Sequence, residues 1–312
     1  MEIALSTCWF HGAEGGVLES IRAAREVGFR AFEIGVTDED VPVDEIAALV
    51  RAGEVRVVSV HNLCTRSRLL GRNARGDFLG NPSESKRRDA VRRTLETIDV
   101  ARSLGTDTVV VHLGEARMRS AARRQAQLGR YVLDIGRTQE LSQEVQRLLR
   151  KRRDRALKTM DAVRRSLREV LERAPEAVLA VENRYYFHQV PLPDELEQLL
   201  REFPRVSYCH DVGHAHALDA IGFVPHAEWL DRFGARMAEV HIHDVVQLVD
   251  HLPPGAGHMD FGMLRGRIPS SVPLVMEVHD GYPPAQLAAA RRFLERHFDA
   301  SPPRSDPPRT AV

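Results

Sequence analysis

Cysteine is scarce in this chain. Cys8, Cys64 and Cys209 are the only three among 312 residues, odd in number and far apart. That spacing excludes a disulfide framework and fits a reducing cytosol. No Cys-x-x-Cys pair occurs, which removes thiolate zinc sites. A charge excess is lacking too: 44 Lys+Arg stand against 44 Asp+Glu, so the molecule as a whole is no polyanion binder. No apolar run approaches the roughly 20 residues needed to span a bilayer. The N-terminus, MEIALSTCWF, reads as a strand and has neither the basic nor the apolar region of a signal peptide. A cytoplasmic protein without a membrane partner is expected. GxSxG, P-loop, HExxH and Rossmann fingerprints are all absent. Hydrophobic content of 43% is enough for a full core and excludes general disorder. What the chain does have is histidine, 14 residues of it.

Eight short β-branched or apolar runs read as buried strands: Ile3–Cys8, Arg30–Gly35, Val55–His61, Thr108–His112, Ala177–Glu182, Val206–His210, Ala238–His243 and Pro273–Val278. Between them lie segments of helical periodicity. These are Val17–Val27, Val43–Arg51, Ser83–Leu104, Gln139–Arg173, Asp194–Glu202, His226–Phe233 and Pro284–His297, with a short piece at Phe261–Leu264. Strand then helix, repeated eight times, predicts a parallel sheet with helices outside. A closed (β/α)8 TIM barrel over residues 1–300 is the economical solution. An open doubly wound sheet would be expected to carry a Gly-rich turn after its first strand, where this chain has Ser-Thr-Cys-Trp-Phe-His-Gly. Residues 115–173 form an enlarged helical insertion after strand 4, with 17 Lys+Arg against 8 Asp+Glu. That segment reads as a solvated helical face, with a lid or anion-attracting flap as the functional alternative. Residues 301–312 read as a disordered, Pro-rich tail.

Residues at the C-terminal ends of barrel strands converge on one mouth. The third strand ends at His61 and the fourth at His112. The fifth ends at Glu182 in Val-Glu-Asn, and the sixth runs into Asp211 and His214. The seventh carries His241, His243 and Asp244, and the eighth Glu277. Carboxylates are seldom buried alone, and several in one mouth repel one another. A divalent cation gives each of them a partner. Glu182, Asp211, His241 and Glu277 offer three oxygens and one nitrogen. That set suits Mn2+ first, with Mg2+, Co2+ or Zn2+ as alternatives. Such an ion can hold two neighbouring sugar oxygens and acidify the C–H between them.

These motifs resemble the xylose isomerase-like TIM-barrel superfamily, whose members include sugar phosphate isomerases, ketose 3-epimerases and zinc AP endonucleases. The resemblance runs from about Ile3 to His297. It rests on Val-Glu-Asn at 181–183, Asp-x-x-His at 211–214, His-x-His-Asp at 241–244, His-Leu-Pro-Pro-Gly-x-Gly at 251–257 and Met-Glu-Val at 276–278. Similarity to the epimerases implies one metal on Glu182, Asp211, His241 and Glu277. It further implies proton transfer by Glu182 and Glu277 through a metal-held cis-enediolate, with His214 on the substrate oxygens. The epimerases' second glutamate and their arginine are replaced here by His188 and Gln247, against a simple ketohexose epimerase. Similarity to the AP endonucleases implies that His61, His112, His214 and His251 join the same four ligands around three zincs. A ninth ligand, an aspartate there, is Val249 here, and Asp250 would point elsewhere if the backbone is extended. The same enolate chemistry also serves a lyase or dehydratase on a sugar-derived acid. A non-catalytic binding protein would leave the carboxylates without purpose.

The expected partner is a small sugar or polyol, not nucleic acid, since DNA binding relies on a basic face. A homo-oligomer is compatible with the sequence. Trp9, Phe10 and His11 form either a wall of the pocket or rim packing. Glu33 accepts either a substrate hydroxyl or an arginine. Arg184 and Tyr185–Phe187 are candidates to line the pocket. Asp244 is expected to orient His241 or His243. Gly255 and Gly257 serve a tight loop that brings His251 inward, or cradle a phosphate. His210, His216, His226, His258, His279 and His297 read as structural.

Overall fold

A computed structural model describes residues 1–10, 16–36, 40–62, 78–279 and 281–299. His11, Cys64 and the 301–312 tail lie outside the described residues. Eight parallel strands close into a barrel in chain order. They are β1 (Ile3–Ser6), β2 (Ala31–Ile34), β3 (Arg56–His61), β4 (Thr108–Val111), β5 (Val178–Glu182), β6 (Val206–Asp211), β7 (Met237–Ile242) and β8 (Leu274–Met276). β8 closes on β1 through the register Leu274 opposite Ile3 and Val275 opposite Ala4. The first strand is shorter than its sequence suggests, because Thr7–Phe10 turn as a 3-10 helix.

The outer layer begins with α1 (Gly16–Glu26), α2 (Val43–Arg51) and α3 (Glu84–Ser103). On α1, Val17, Ser20, Ile21 and Ala24 are buried, a spacing of three and four that gives one apolar stripe toward the strands. The 115–173 segment holds two helices, α4 (Ala121–Ile135) and α5 (Gln139–Arg173). α4 escapes the sequence reading because its N-cap, Ser120, is left-handed and makes no side-chain cap. The 35-residue α5 buries Leu141, Val145, Leu148, Ala156, Met160, Val163, Leu167 and Val170 on one face. Much of its charge is exposed, yet Arg152 is only 3% exposed and grips Glu195 through two bonds of 2.6 and 2.7 Å.

α6 (Pro193–Glu202), α7 (Val212–Ile221), α8 (His226–Phe233), α9 (Phe261–Arg265) and α10 (Pro284–Asp299) complete the ring. α7 begins with no linker: Asp211 is both the last residue of β6 and the cap whose carboxylate accepts from the His214 amide at 2.7 Å. Two small antiparallel ribbons decorate the mouth, Gly114–Glu115 with Gln189–Val190, and Asp244–Val246 with Val249–Leu252. No helix among the described residues is long and apolar enough to cross a membrane.

Candidate functional site

Side chains two apart on a strand share a face. Ala180 and Glu182, Cys209 and Asp211, and Glu239 and His241 are such pairs. Ala180, Cys209 and Glu239 sit one layer down, with Glu182, Asp211 and His241 at the mouth. Strand ends from β3 to β8, with the first turn of α7 for His214 and the Val249–Leu252 ribbon for His251, bring His61, His112, Glu182, Asp211, His214, His241, His251 and Glu277 into one cluster. Three groups within it have mutually close ligand atoms: His61, His112 and Glu182; Glu182, Asp211 and His241; and Asp211, His214 and His251. Glu182 is shared by the first two and Asp211 by the last two.

The contacts are those of groups facing common centres. Glu182 Oε2 lies 3.3 Å from His61 Nε2 and 2.6 Å from His112 Nε2, while Glu182 Oε1 is 2.9 Å from His214 Nδ1. Glu277 Oε2 is 2.8 Å from His241 Nδ1 and 3.6 Å from His251 Nε2. His241 Nδ1 is wholly buried and makes no hydrogen bond, despite that approach. Arg184 also donates to both His112 Nε2 and Glu182. A single ring nitrogen cannot donate to Glu182 and accept from Arg184 at once. Burial and the Arg184 guanidinium push the His112 pKa down to about 3, so this ring is neutral and keeps a lone pair. Buried Glu182 and Asp211, the His241 imidazole facing Glu277 and neutral His112 form a donor set that fits a divalent cation.

Supporting groups fix the clustered side chains. Asn183 Nδ2 donates to the Asp211 carbonyl at 2.9 Å, and its Oδ1 accepts from the Asp211 amide at 2.8 Å and from the Tyr208 hydroxyl at 2.9 Å. The His251 amide donates to His243 Nδ1 at 3.0 Å, which directs His243 Nε2 at Asp211 Oδ1, 3.3 Å away. Gly213 permits this packing, since a Cβ there would meet His243 Cε1 at 2.2 Å. Behind His241, Nε2 lies 3.0 Å from Glu33 Oε2 and 3.1 Å from Glu239 Oε1. Burial alone would raise Glu33, but the His241 imidazole holds its carboxyl below the ordinary value. Burial wins at Glu239 and raises it. Cys209 adjoins this pair, and burial keeps its thiol protonated by pushing its pKa well up.

Several expectations change at this point. Glu33 finds no arginine: it is fully buried behind His241. Asp244 orients neither His241 nor His243. Its carboxylate accepts from the amides of Val245, Gly255 and Met259 at 2.8 to 2.9 Å and so organises the loop after His251. Gly257 belongs to that loop because a Cβ would lie 2.1 Å from the Val245 carbonyl. Asp250 does not point away. His251 has φ +59, so the backbone is not extended, and Asp250 Oδ1 meets His251 Nδ1 at 3.0 Å. Burial opposes protonation of His251, but Asp250 and Glu277 outweigh it and push its pKa up to about 11. His279 stacks on His251 at 3.9 Å between ring centroids. His188 stays outside the cluster and pairs with Glu115 at 3.4 Å. Trp9 is packed, its indole N–H donating to the Tyr282 carbonyl. Phe187 is buried and stacks on Phe223, whereas Arg184 donates to Glu182 and Tyr185 lies edge-on to His214, 6.0 Å between ring centroids.

Glu239 and the Asn183–Asp211 link are the residues the sequence reading missed. The signal for Glu239 was its two-residue spacing from His241 on one strand.

A family described as xylose isomerase-like TIM barrel matches residues 21–297. No curated protein matches the chain in sequence. Among solved structures, an L-ribulose 3-epimerase is similar at 14% identity and TM-score 0.67, covering 96% of this chain and 95% of that one. A 3-keto-D-glucoside 4-epimerase from E. coli has 18% identity and TM-score 0.60, over 95% and 99% of the two chains. An IolI protein with a bound zinc has 13% identity and TM-score 0.63, over 96% and 98%. At these identities the likeness shows the fold alone.

Proposed function

Since this chain belongs to the xylose isomerase-like TIM-barrel family, we propose that its mouth is the active site of a metal-dependent isomerase or epimerase acting on a sugar or sugar-derived substrate. Glu182, Asp211, His241 and Glu277 would hold one divalent cation, manganese by the oxygen-rich donor set. The observation that carries this reading is that buried Glu182 and Asp211 bring ligand atoms close to His241, whose Nδ1 also lies 2.8 Å from the Glu277 carboxylate. The L-ribulose 3-epimerase and 3-keto-D-glucoside 4-epimerase activities of the structural neighbours support the substrate class.

The cation, when bound, supplies Lewis acidity to adjacent hydroxyl and carbonyl oxygens. The chain's own residues supply the proton handling. Burial would raise the Glu277 pKa, yet His241 holds the carboxyl well below its usual range, so it is ionised and able to accept a proton. Glu182 is ionised as well: burial opposes this, but the Arg184 guanidinium outweighs it. One carboxylate removes the proton from the substrate carbon and the other returns it. His214 Nδ1 is 3.0 Å from the Asn183 carbonyl, a contact that leaves Nε2 for substrate oxygens. The test is solvent deuterium uptake into ketoses and their sugar-acid relatives in D2O, with Glu182→Gln and Glu277→Gln. Both variants should lose exchange with circular dichroism unchanged. Exchange retained in both would overturn the two-base reading.

A second reading is favoured by one observation. His61 and His112 flank Glu182, and His214 and His251 flank Asp211, as two further ligand groups. That arrangement would suit a zinc phosphodiesterase of the AP endonuclease type. Elemental mass spectrometry separates the two: one manganese per chain supports the enolising site, while two or three zincs would make abasic DNA the substrate to try.

A further inference from the structure

Beside the barrel mouth lies a cavity of about 850 Å3 that no candidate metal ligand lines. Its walls come from the Glu115 ribbon, the turn into α4, the first turn of α4 and the middle of α5. Seven Lys and Arg side chains line it against one carboxylate, Glu115. Glu144 takes up two of the seven, Arg124 at 2.7 Å and Arg147 at 2.6 Å. Arg155 donates to the Arg117 carbonyl at 3.0 Å, and Arg117 reaches Asn81 Oδ1 at 3.5 Å while its charge also acts on Glu115. Arg119, Arg123 and Lys151 are exposed and have no hydrogen bond or ion pair among the described residues. Glu115 itself faces His188 at 3.4 Å.

This is not how a solvated helical face is built. On α3, Arg88 pairs with Glu84 and Arg92 with Glu96, each four residues away. Here cations from separate elements gather in one concavity, where they repel one another unless an anion joins them. α4 opens into the same space with no acidic residue in its first turn. Guanidinium forks match phosphate oxygens in pairs. The volume falls within the roughly 300–1,000 Å3 of small-ligand pockets. We infer that this cavity binds a small polyanion, a phosphate-bearing metabolite with at least two negative charges, at a site separate from the barrel mouth. The inference does not rest on the isomerase reading.

The test is calorimetric titration of the full, metal-loaded chain with inorganic pyrophosphate at low and moderate salt, compared with Arg123→Gln/Lys151→Gln. Both positions are exposed and away from the barrel, so metal content should be unchanged. Saturable one-to-one binding, weakened tenfold or more in the double variant and by added salt, is the expected result. Equal binding by both proteins would place the anion at the mouth and overturn the inference, as would no saturable binding. Tighter binding of a 20-base-pair duplex than of pyrophosphate, lost in the same variant, would overturn it in favour of a nucleic-acid surface.

Discussion

Glu33 and Glu239 approach the same nitrogen, His241 Nε2, at 3.0 and 3.1 Å, yet they are expected to behave differently when neutralised. Glu33 is held ionised by His241 after burial is overcome, whereas burial raises Glu239 toward the neutral acid. Glu33→Gln therefore removes a charge, and Glu239→Gln replaces a carboxylic acid by a near-isostere. A hydrogen bond to a charged group contributes about 1.5–3 kcal/mol and a neutral one about 0.5–1.5. The difference, about 1–2 kcal/mol, corresponds to a loss of roughly 5- to 30-fold in metal affinity. That agrees with the roughly 10–100-fold typical of groups that orient a ligating histidine. Glu239→Gln should change affinity by less than about threefold, under ~0.7 kcal/mol. Competition against a chelating dye gives both affinities, with thermal unfolding of the metal-free proteins as the check on folding. A larger loss in Glu239→Gln than in Glu33→Gln would refute the charge assignment. No loss in either would refute the orienting role altogether.

Other outcomes follow from neighbouring groups. His251 has its pKa raised from 6.5 to about 11 in the metal-free chain, because Asp250 and Glu277 outweigh burial. Its contribution to stability is thus full below about 6.5 and is lost as pH rises through about 11, so the metal-free melting temperature should fall across that interval, and less so in His251→Asn. Zinc added at pH 8 should release a proton from this ring if it becomes a ligand, readable by calorimetry in buffers of different ionisation enthalpy. Arg184 donates to both His112 and Glu182. Two unit charges about 4 Å apart repel by ~4 kcal/mol at an effective dielectric of 20, so Arg184→Gln should tighten zinc at this position by tenfold or more, and unchanged affinity would show that the guanidinium swings clear. Arg152→Ala strands the partly buried Glu195 and frees the Gln189 carbonyl, and should cost about 2–3 kcal/mol by urea unfolding without altering metal content.

The fold was legible because its signals are local and repeated. Each barrel strand is a short β-branched run, and α2, α5 and α8 have the bounds that their periodicity predicts. α7 was not legible, because Asp211 ends a strand and caps a helix in one residue and leaves no turn to read. The same economy explains the Asp-x-x-His spacing. A capping carboxylate accepts from the amide three residues on, so the histidine that follows Asp211 at that interval starts its side chain from the mouth.

The candidate ligand positions were legible for a different reason from the groups behind them. Glu182, Asp211 and Glu277 sit at barrel strand ends, where chain position alone states which way a residue faces. The groups behind it depend on register between strands distant in sequence, which a single chain does not display. Glu33 meets His241 across the barrel, 208 positions apart. The irregular register between β2 and β3 at Phe32 and Glu33 accompanies a Glu33 carboxylate 3.5 Å from the Ser59 hydroxyl. Glu239 was readable in principle, two residues before His241 on one face, but a glutamate in a strand is as often exposed on the outer face. Only closure of the barrel makes that face an interior, where burial neutralises one carboxyl and a histidine keeps the other charged. The asymmetry between Glu33 and Glu239 is therefore a property of the fold rather than of either residue. It is why exchanging their roles by sequence inspection would predict the opposite ranking of the two variants.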